Sequence, residues 1–432
     1  MRLLSSGHAG RTALQVAALA AAMCAASAPA ALAAGREQNT ELISRSLDGG
    51  VPDGASTHAV ISNDKRYARA IAFESQATDL VANDTNGVQD VFAVLRGGSF
   101  GNDGRAWKPG RTVLISRTRT GEPANGPSFS PAIDGGFHSR PKCVAFLSSA
   151  SNLVPGDTNA VDDAFVTRLS GGAPKRVSRP GGRQATLPTT AVAVSGDCKQ
   201  VAFVTGGKLY VSRKGRKARR VKAAGVAADP SFSTGLRSDL VFSAARGVYL
   251  KKDGRRRARL VARGGRNPAY NDIKRQVVTY EKSRGGHTQI GYKDIGHRER
   301  IISSRRGRLG NADSRDPVIG NAGYYVTFES DASNLGLNAL GRTGDHNHKP
   351  DVYLFTDVRD ITLVQSVAEK AVPLDGGGQN PSMSFYANYL TFDAVPPRGG
   401  GVIGLVGGLL GQPGLTASSQ PPQVFMRWLG AL

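Results

Sequence analysis

The sequence predicts an all-β protein, and within that class a seven-bladed β-propeller of four-stranded blades. An apolar strand ending in an aromatic residue occurs seven times, each time followed by a second aromatic strand. Flanking strands bring six of the seven units to four strands. The last unit lacks its fourth strand, and a copy of that strand stands before the first unit. Such an exchange closes a ring of blades without leaving two open sheet edges.

The paired aromatic strands define the repeat. The second strands of the units are AIAF (70–73), CVAF (143–146), QVAF (200–203), LVFS (240–243), VVTY (277–280), YVTF (325–328) and YLTF (389–392). The third strands are DVFAV (90–94), DAFVT (163–167), KLYVS (208–212), GVYLK (247–251), QIGYK (289–293), DVYLF (351–355) and QVFMR (423–427). Short alternating runs rich in β-branched and aromatic residues are typical of strands.

One strand precedes each pair and another follows six of the pairs. The first strands are PSFSP (127–131), DPSFS (229–233), NPAYN (267–271), DPVIG (316–320) and NPSMS (380–384), with AVISND (59–64) and AVAVSGD (191–197) as weaker members. The fourth strands are VLISR (113–117), KRVSR (175–179), RRVKA (219–223), RLVAR (259–263), RIISS (300–304) and TLVQS (362–366). We expect ELISR (41–45) to complete blade seven. The displaced strand favours a propeller over the alternatives, a β-sandwich or a solenoid.

These repeats resemble the TolB-like, WD40-like propeller repeat of bacterial exported proteins. The resemblance rests on the P-S-F-S, VAF and DVF elements and on longer F-x-S-x-A-x-x-L…D-T-N segments, and it covers nearly all of residues 40–430. It implies a propeller fold and says little about activity. TolB carries an α/β domain before its propeller. The residues between the predicted signal and Glu41 are too few for that domain, so we do not expect a TolB role in translocation.

The N-terminus is predicted to be a secretory signal, residues 1–34, followed by the propeller, residues 35–432. Two arginines precede an apolar stretch (14–34) that ends in small residues and contains an A-x-A cleavage site. A retained membrane anchor is the alternative. No other segment has 18 consecutive apolar residues. We therefore expect an exported bacterial protein, periplasmic, cell-surface or extracellular, that is monomeric and does not span a membrane.

Three blades carry a long loop between the second and third strands, with a shared D-x-N-x-x-x-D pattern. The three sets are Asp84, Asn86 and Asp90; Asp157, Asn159 and Asp163; and Asp345, Asn347 and Asp351. Carboxylate and amide oxygens are ligands that Ca²⁺ prefers. The same residue types also bond their own backbone in tight turns. Both interpretations stay open, a calcium site and a structural turn, because no bidentate Glu follows at the spacing of a calcium loop.

The positive charge is concentrated in one part of the chain. Residues 208–308 contain 28 Lys/Arg and 7 Asp/Glu, so they carry +21 of the total +22. The runs 212–222 and 251–263 span the turns between third and fourth strands, and a third run covers 297–308. Because strand direction alternates within a blade, these turns lie on the face opposite the Asp/Asn loops. The predicted anion-binding residues are Arg213, Lys214, Arg216, Lys217, Arg219, Lys251, Lys252, Arg255, Arg256 and Arg257.

This basic face, predicted under blades three to six, indicates an anionic partner such as an envelope polymer or an acidic protein. The alternative is an arginine-rich surface that is simply solvated. Few aromatic residues interleave the basic runs, so sequence-specific nucleic-acid binding is not expected. Cys143 and Cys198 are predicted to lie near this same face on neighbouring blades, where a disulfide is feasible and two free thiols are the alternative.

The search for an active site finds no linear motif. GGSFG (97–101) matches G-x-S-x-G, but no helix follows it. The histidines form no H-E-x-x-H pattern; His346 and His348 flank Asn347 and are expected to be solvated. We predict no catalytic residue and a non-catalytic binding scaffold. A propeller hydrolase or lyase acting on an extracellular or envelope polymer is the alternative. The glycine-rich insertion 394–422 in blade seven is interpreted as a mobile lid, a partner contact or a disordered insertion.

Overall fold

The computed structural model describes residues 40–65, 67–98, 107–136, 139–335, 347–358, 361–364, 376–396 and 420–429. Some of the residues discussed above lie outside these ranges. They are the predicted signal segment 1–34, residues 99–101 of GGSFG, Asp345, His346 and residues 397–419 of the insertion. Within the described ranges, no helix has the length and apolar character needed to cross a bilayer.

The chain folds into seven antiparallel four-stranded sheets, which confirms the predicted propeller. Blade one contains β2 (Ser56–Ile61), β3 (Ala70–Ser75), β4 (Asp90–Arg96) and β5 (Pro109–Leu114); blade two contains β6 (Ser128–Ile133), β7 (Cys143–Ser148), β8 (Asp163–Arg168) and β9 (Lys175–Arg176). Blade three contains β10 (Thr189–Val194), β11 (Gln200–Thr205), β12 (Lys208–Arg213) and β13 (Arg219–Arg220); blade four contains β14 (Ala228–Phe232), β15 (Leu240–Ala244), β16 (Gly247–Lys251) and β17 (Arg259–Arg263).

The remaining blades follow the same order. Blade five contains β18 (Gly265–Asn271), β19 (Val277–Arg284), β20 (His287–Asp294) and β21 (Arg300–Ile301); blade six contains β24 (Ser314–Gly320), β25 (Tyr325–Ser330), β26 (Asp351–Thr356) and β27 (Ile361–Val364). Blade seven contains β28 (Gln379–Met383), β29 (Tyr389–Ala394), β30 (Gln423–Trp428) and β1 (Thr40–Leu42). A small hairpin, β22 (Ser304–Arg305) with β23 (Arg308–Leu309), and a 3-10 turn (Asn321–Gly323) lie between these blades.

The first strand of each blade is innermost, and the seven first strands close the ring. Each contacts the first strands of both neighbouring blades, in the order β2, β6, β10, β14, β18, β24, β28 and back to β2. One hydrophobic cluster fills each joint between blades. The core is therefore a set of seven inter-blade layers, which is why every blade needs two apolar faces.

The aromatic residues that define the repeat face one another across the second and third strands. Six blades contain a stacked pair: Phe73–Phe92, Phe146–Phe165, Phe203–Tyr210, Phe242–Tyr249, Phe328–Tyr353 and Phe392–Phe425. Blade five differs, because Tyr280 lies opposite Gly291. A Cβ added to Gly291 would come within 2.5 Å of the Tyr280 ring. The Tyr280 ring therefore occupies the space that the aromatic side chain of the third strand fills in the other six blades.

The N-terminal strand closes the ring as the sequence predicts. Thr40 to Leu42 of β1 pair antiparallel with Arg427 to Phe425 of β30. Leu42 packs into the layer between blades six and seven, and Ile43 into the layer between blades seven and one. The strand therefore seals both faces of blade seven.

Candidate functional site

The turns between third and fourth strands of blades three and four form an exposed basic surface. We define the basic face as Arg213, Lys214, Arg216, Lys217, Arg219, Lys251, Lys252, Arg255, Arg256 and Arg257. All of these side chains are exposed except Lys251 and Lys252, which are half-buried. Burial, together with the nearby Arg213, lowers the pKa of Lys251. A lowered lysine pKa is what a crowded positive surface produces.

Acidic residues near the basic face already have cationic partners. Arg213 pairs with Asp253, and Lys252 lies 3.3 Å from the buried Asp239. Within the described ranges, no carboxylate lies at ion-pair distance from seven exposed cations of the face: Lys214, Arg216, Lys217, Arg219, Arg255, Arg256 and Arg257. Their charge is therefore uncompensated by the protein, and it is available to an anionic ligand.

Two shallow depressions lie on this side of the molecule. One, of about 600 Å³, is lined by Leu250, Lys252 and residues 255–259. The other, of about 530 Å³, lies between blades two and three and is lined in part by Arg168, Lys175, Lys199 and Lys214. Both are open to solvent, and cationic side chains contribute to the lining of each.

The third basic run does not stay on one face. Residues 297–300 belong to the turn between β20 and β21, on the side of the basic face. Residues 304–309 form the hairpin of β22 and β23 beyond β21, near the turn that joins β19 to β20, where Leu309 approaches Gly285. The ten residues of the basic face therefore lie in blades three and four, and residues 297–300 add cations on the same side in blade five.

The Asp/Asn loop of blade one holds two buried carboxylates, and no cationic side chain of the described ranges pairs with either of them. Asp84 and Asp90 are 8% and 0% exposed. Asn86 donates from Nδ2 to Asp90 Oδ2 and to the carbonyl of Ala124, and its Oδ1 accepts from the Val88 amide. Burial raises the pKa of Asp90 to about 6, and the neighbouring Asp84 adds to that rise. Burial also raises the pKa of Asp84, whose Oδ1 has no hydrogen-bond partner.

The equivalent loop of blade two differs in one respect, the presence of an arginine. Asn159 again donates to an aspartate, Asp163, and to a carbonyl, that of Ala185. Here Arg176 Nη1 lies 2.6 Å from Asp157 Oδ1 and 3.2 Å from Asp163 Oδ2. Arg176 opposes the rise that burial causes in the pKa of Asp157. In blade six, Asp345 lies outside the described residues, and Asn347 Oδ1 accepts from the Lys349 amide.

The aspartate that begins the third strand also has a structural role. A serine after the fourth strand donates from Oγ to Asp90 and to Asp163 in blades one and two. In blades five and seven the serine donates instead to Gln289 and Gln423. The four serines are Ser116, Ser178, Ser303 and Ser44, and each also accepts from an amide at the start of the third strand. One oxygen of each aspartate is thereby used to anchor the outer strands.

Cys143 and Cys198 form a disulfide between blades two and three. Cys143 begins β7, and Cys198 lies in the turn between β10 and β11 with φ of 59°. Asp134 lies beside the pair, and its Oδ1 accepts from the amides of Lys142 and Cys143. Burial raises the pKa of Asp134 to about 7, against the effect of those two hydrogen bonds.

A ring of carboxylates around the propeller axis was missed by the sequence reasoning. In five joints, a carboxylate accepts a backbone N–H from the first strand of the next blade. The pairs are Glu74 with Ser130, Asp393 with His58, Glu329 with Asn380, Glu281 with Asp316, and Asp229 with Asn267, at 2.7–3.0 Å. All five donors have φ between 45° and 52°. A bulge in each first strand turns its amide toward the neighbouring blade.

The sequence did contain a signal for this ring. The residue after the second-strand aromatic is acidic in four blades, as Glu74, Glu281, Glu329 and Asp393. Blades two and three have Leu147 and Val204 there, and blade four supplies Asp229 from its bulge. The ring lies at the end of the axis where the Asp/Asn loops lie, opposite the basic face.

His58 adds a histidine to this ring of carboxylates. Its Nδ1 lies 2.8 Å from Glu74 Oε1. The hydrogen bond that His58 donates to Glu74 raises the pKa of His58, and the nearby Asp393 and Asp316 add to the rise. Burial raises the pKa of Asp393 to about 7. Histidine and carboxylates from several blades thus converge here, although most of the carboxylate oxygens are used by the inter-blade hydrogen bonds.

Comparison with known proteins finds likeness in structure alone. No protein-family model matches the sequence. No curated protein matches it significantly. A protein assigned as TolB from Agrobacterium tumefaciens is 14% identical, with a TM-score of 0.37 over 59% of this chain and 83% of that one. The β-propeller domain of the Trilobed protease from Pyrococcus furiosus is 10% identical, with a TM-score of 0.44 over 78% and 89%.

The Pyrococcus horikoshii acylaminoacyl peptidase is 12% identical, with a TM-score of 0.44 over 80% of this chain. This chain spans about half, 50%, of that peptidase. At such identities the likeness concerns the fold only.

Proposed function

We propose that this protein is an exported, non-catalytic β-propeller that binds an anionic polymer of the cell envelope through its basic face. The observation that carries the proposal is the set of seven exposed cations without an acidic partner in the described ranges. Like charges held close together raise the energy of the folded protein, and an anionic ligand relieves that repulsion. The two depressions on this side, each lined in part by cationic side chains, offer places where an anionic group could bind.

The two faces of the propeller carry opposite local fields in this proposal. The carboxylate ring lies at the other end of the axis, where its negative charge repels an anionic chain, although exposed cations such as Lys208, Arg246 and Arg284 also lie on that side. Such binding weakens steeply with added salt, because exposed charges are screened beyond about 8 Å at physiological ionic strength. The proposal takes two features from the resemblance to TolB-like proteins, namely export from the cytoplasm and the propeller fold.

The experiment measures binding to dextran sulfate, with uncharged dextran as the control polymer, between low and high salt. The test variant reverses three cations of the basic face: Arg255→Glu, Arg256→Glu and Arg257→Glu. The matched control reverses three exposed cations at the second-to-third turns of blades three, four and five: Lys208→Glu, Arg246→Glu and Arg284→Glu. Both variants change the net charge equally, so only the face differs.

We expect the test variant to lose affinity by about tenfold or more, and the control variant to bind nearly as the wild type does. Equal losses would mean that net charge matters and the face does not. Binding that does not weaken with salt would refute the electrostatic proposal. A pull-down from envelope extract at the same two salt concentrations then identifies which polymer or protein is retained.

A second candidate function is a hydrolase or lyase with its site at the carboxylate ring. The pairing of His58 with Glu74, beside Asp393, is the observation that favours it. Glu74→Gln keeps an acceptor for the Ser130 amide and removes the carboxylate. Loss of polymer cleavage in that variant with unchanged unfolding would support an enzyme; absence of cleavage by the wild-type protein across anionic and neutral polysaccharides would exclude this candidate.

A further inference from the structure

The loops of blades one and two have similar backbone angles, and among the described residues a cationic side chain contacts the aspartates of blade two but not those of blade one. Asn83 and Gly156 occupy the same position and have φ of 67° and 70°. Gly87 and Ala160 also correspond, with φ of 65° and 52°. The asparagine of each loop donates to an aspartate and to a backbone carbonyl in the segment that leads to the next blade. The two loops therefore have similar backbone shapes, and they differ in whether a cationic side chain lies between the two aspartates.

In blade two, the cation is the guanidinium of Arg176. Its Nη1 contacts Asp157 Oδ1 and Asp163 Oδ2, and its Nη2 lies 3.4 Å from the Gly156 carbonyl. The position that corresponds to Arg176 in blade one is Leu114, because Phe165 pairs with Arg176 and Phe92 pairs with Leu114. Leu114 is apolar and packs into the layer between blades seven and one. It cannot supply the charge.

The atoms that bind the guanidinium in blade two have counterparts in blade one. They are Asp84 Oδ1, Asp90 Oδ2 and the carbonyl oxygen of Asn83. Asp84 is more than nine-tenths buried, and its Oδ1 has no partner among the described residues. A buried carboxylate oxygen without a donor is costly, and a second carboxylate beside it makes the cost larger. The arrangement is stable when a cation occupies the position of the Arg176 guanidinium.

We propose that the blade-one loop binds Ca²⁺ through Asp84 Oδ1, Asp90 Oδ2 and the Asn83 carbonyl, and that Arg176 serves as the built-in cation of the blade-two loop. A hard cation with oxygen ligands fits this donor set. Asp90 keeps its Oδ1 for Ser116, so ion binding and the strand anchor use different oxygens. Three protein oxygens leave the remaining positions to water, which corresponds to the weaker Ca²⁺ sites of extracellular modules, with Kd of about 10⁻⁴ to 10⁻³ M.

The test counts bound Ca²⁺ by equilibrium dialysis of the full chain and follows the melting temperature in Ca²⁺ against chelator. Leu114→Arg gives blade one its own cation, and the number of bound ions should fall by one relative to wild type. Arg176→Leu removes the cation of blade two, and the number should rise by one. Asp84→Asn should lose the same ion as Leu114→Arg. Asp157→Asn is the matched control and should leave the number unchanged.

These comparisons are made relative to wild type, so a separate ion in blade six does not affect them. Mg²⁺ should bind at least tenfold more weakly, because it requires a regular octahedral site. The proposal is overturned if the wild-type protein binds no Ca²⁺ at about 10 mM, which is about ten times the upper end of the expected Kd range. It is also overturned if correctly folded Leu114→Arg and Asp84→Asn variants retain every ion. Failure of polymer binding at the basic face would leave this result untouched, since the two sites lie on opposite faces.

Discussion

The closing strand should supply a large share of the stability of this propeller, and two adjacent residues test it. Ile43 is fully buried between blades seven and one, where it packs in the same layer as Tyr389 and Val424. Replacing such a side chain by alanine costs about 2–5 kcal/mol. Ser44 accepts the amide of Val424 at 3.0 Å and donates to Gln423. Ser44→Ala leaves that buried amide without its side-chain acceptor, at a cost of about 1–3 kcal/mol.

Stabilities of native domains are about 5–15 kcal/mol, so Ile43→Ala alone should be severe. The assay is urea unfolding followed by tryptophan fluorescence, because Trp428 lies in β30, the strand that β1 pairs with. Leu47→Ala is the control: Leu47 is 67% exposed and follows the same segment. The double variant Ile43→Ala, Ser44→Ala should fall short of the summed losses, since both residues act on Val424.

The closure would be refuted if Ile43→Ala shifted the free energy of unfolding by less than about 0.5 kcal/mol, the range of surface substitutions such as Leu47→Ala. Deletion of residues 36–48 is the stronger form of the same test, and unchanged melting after it would contradict the ring closure outright.

Three further predictions concern other parts of the ring. Gly291→Ala should destabilise the protein by about 1–3 kcal/mol, because the added Cβ meets the Tyr280 ring, whereas Ser283→Ala at the exposed end of β19 should be neutral in the same urea assay. Reduction of Cys143–Cys198, which are 55 residues apart, should lower the free energy of unfolding by up to about 4 kcal/mol, and the double variant Cys143→Ala, Cys198→Ala should not respond to reductant. Because burial raises the pKa of Asp134 to about 7, the folded chain holds a proton that the unfolded chain releases above pH of about 4; stability should therefore fall as pH rises from about 4 to 7, by up to about 1.4 kcal/mol per pH unit. Asp134→Asn keeps the acceptor oxygen and should reduce that slope, although the raised pKa values of Asp90 and Asp393 leave a smaller slope of the same sign; an unchanged slope would mean that Asp134 does not contribute.

The blade count, the strand order and the displaced closing strand could be derived from the sequence by itself. Each depends on local pattern: an aromatic such as Phe73 or Phe92 recurs at a fixed place because every blade must fill the layer against its neighbours. The opposite placement of the basic turns and the Asp/Asn loops also follows, because strand direction alternates within each blade. Even the proximity of Cys143 and Cys198 follows from that topology.

Only the tertiary structure separated residues that the sequence treats as alike. Asp84 and Asp157 share one motif, yet Arg176, in another strand, contacts only the second of them. The carboxylate ring depends in the same way on contacts between blades, since Glu74 meets the Ser130 amide only after a bulge turns that amide outward. Local pattern sets which strands form, because it acts through short-range backbone geometry. Charge neutralisation is decided by side chains far apart in sequence, because it depends on which of them the closed ring brings within a few ångströms.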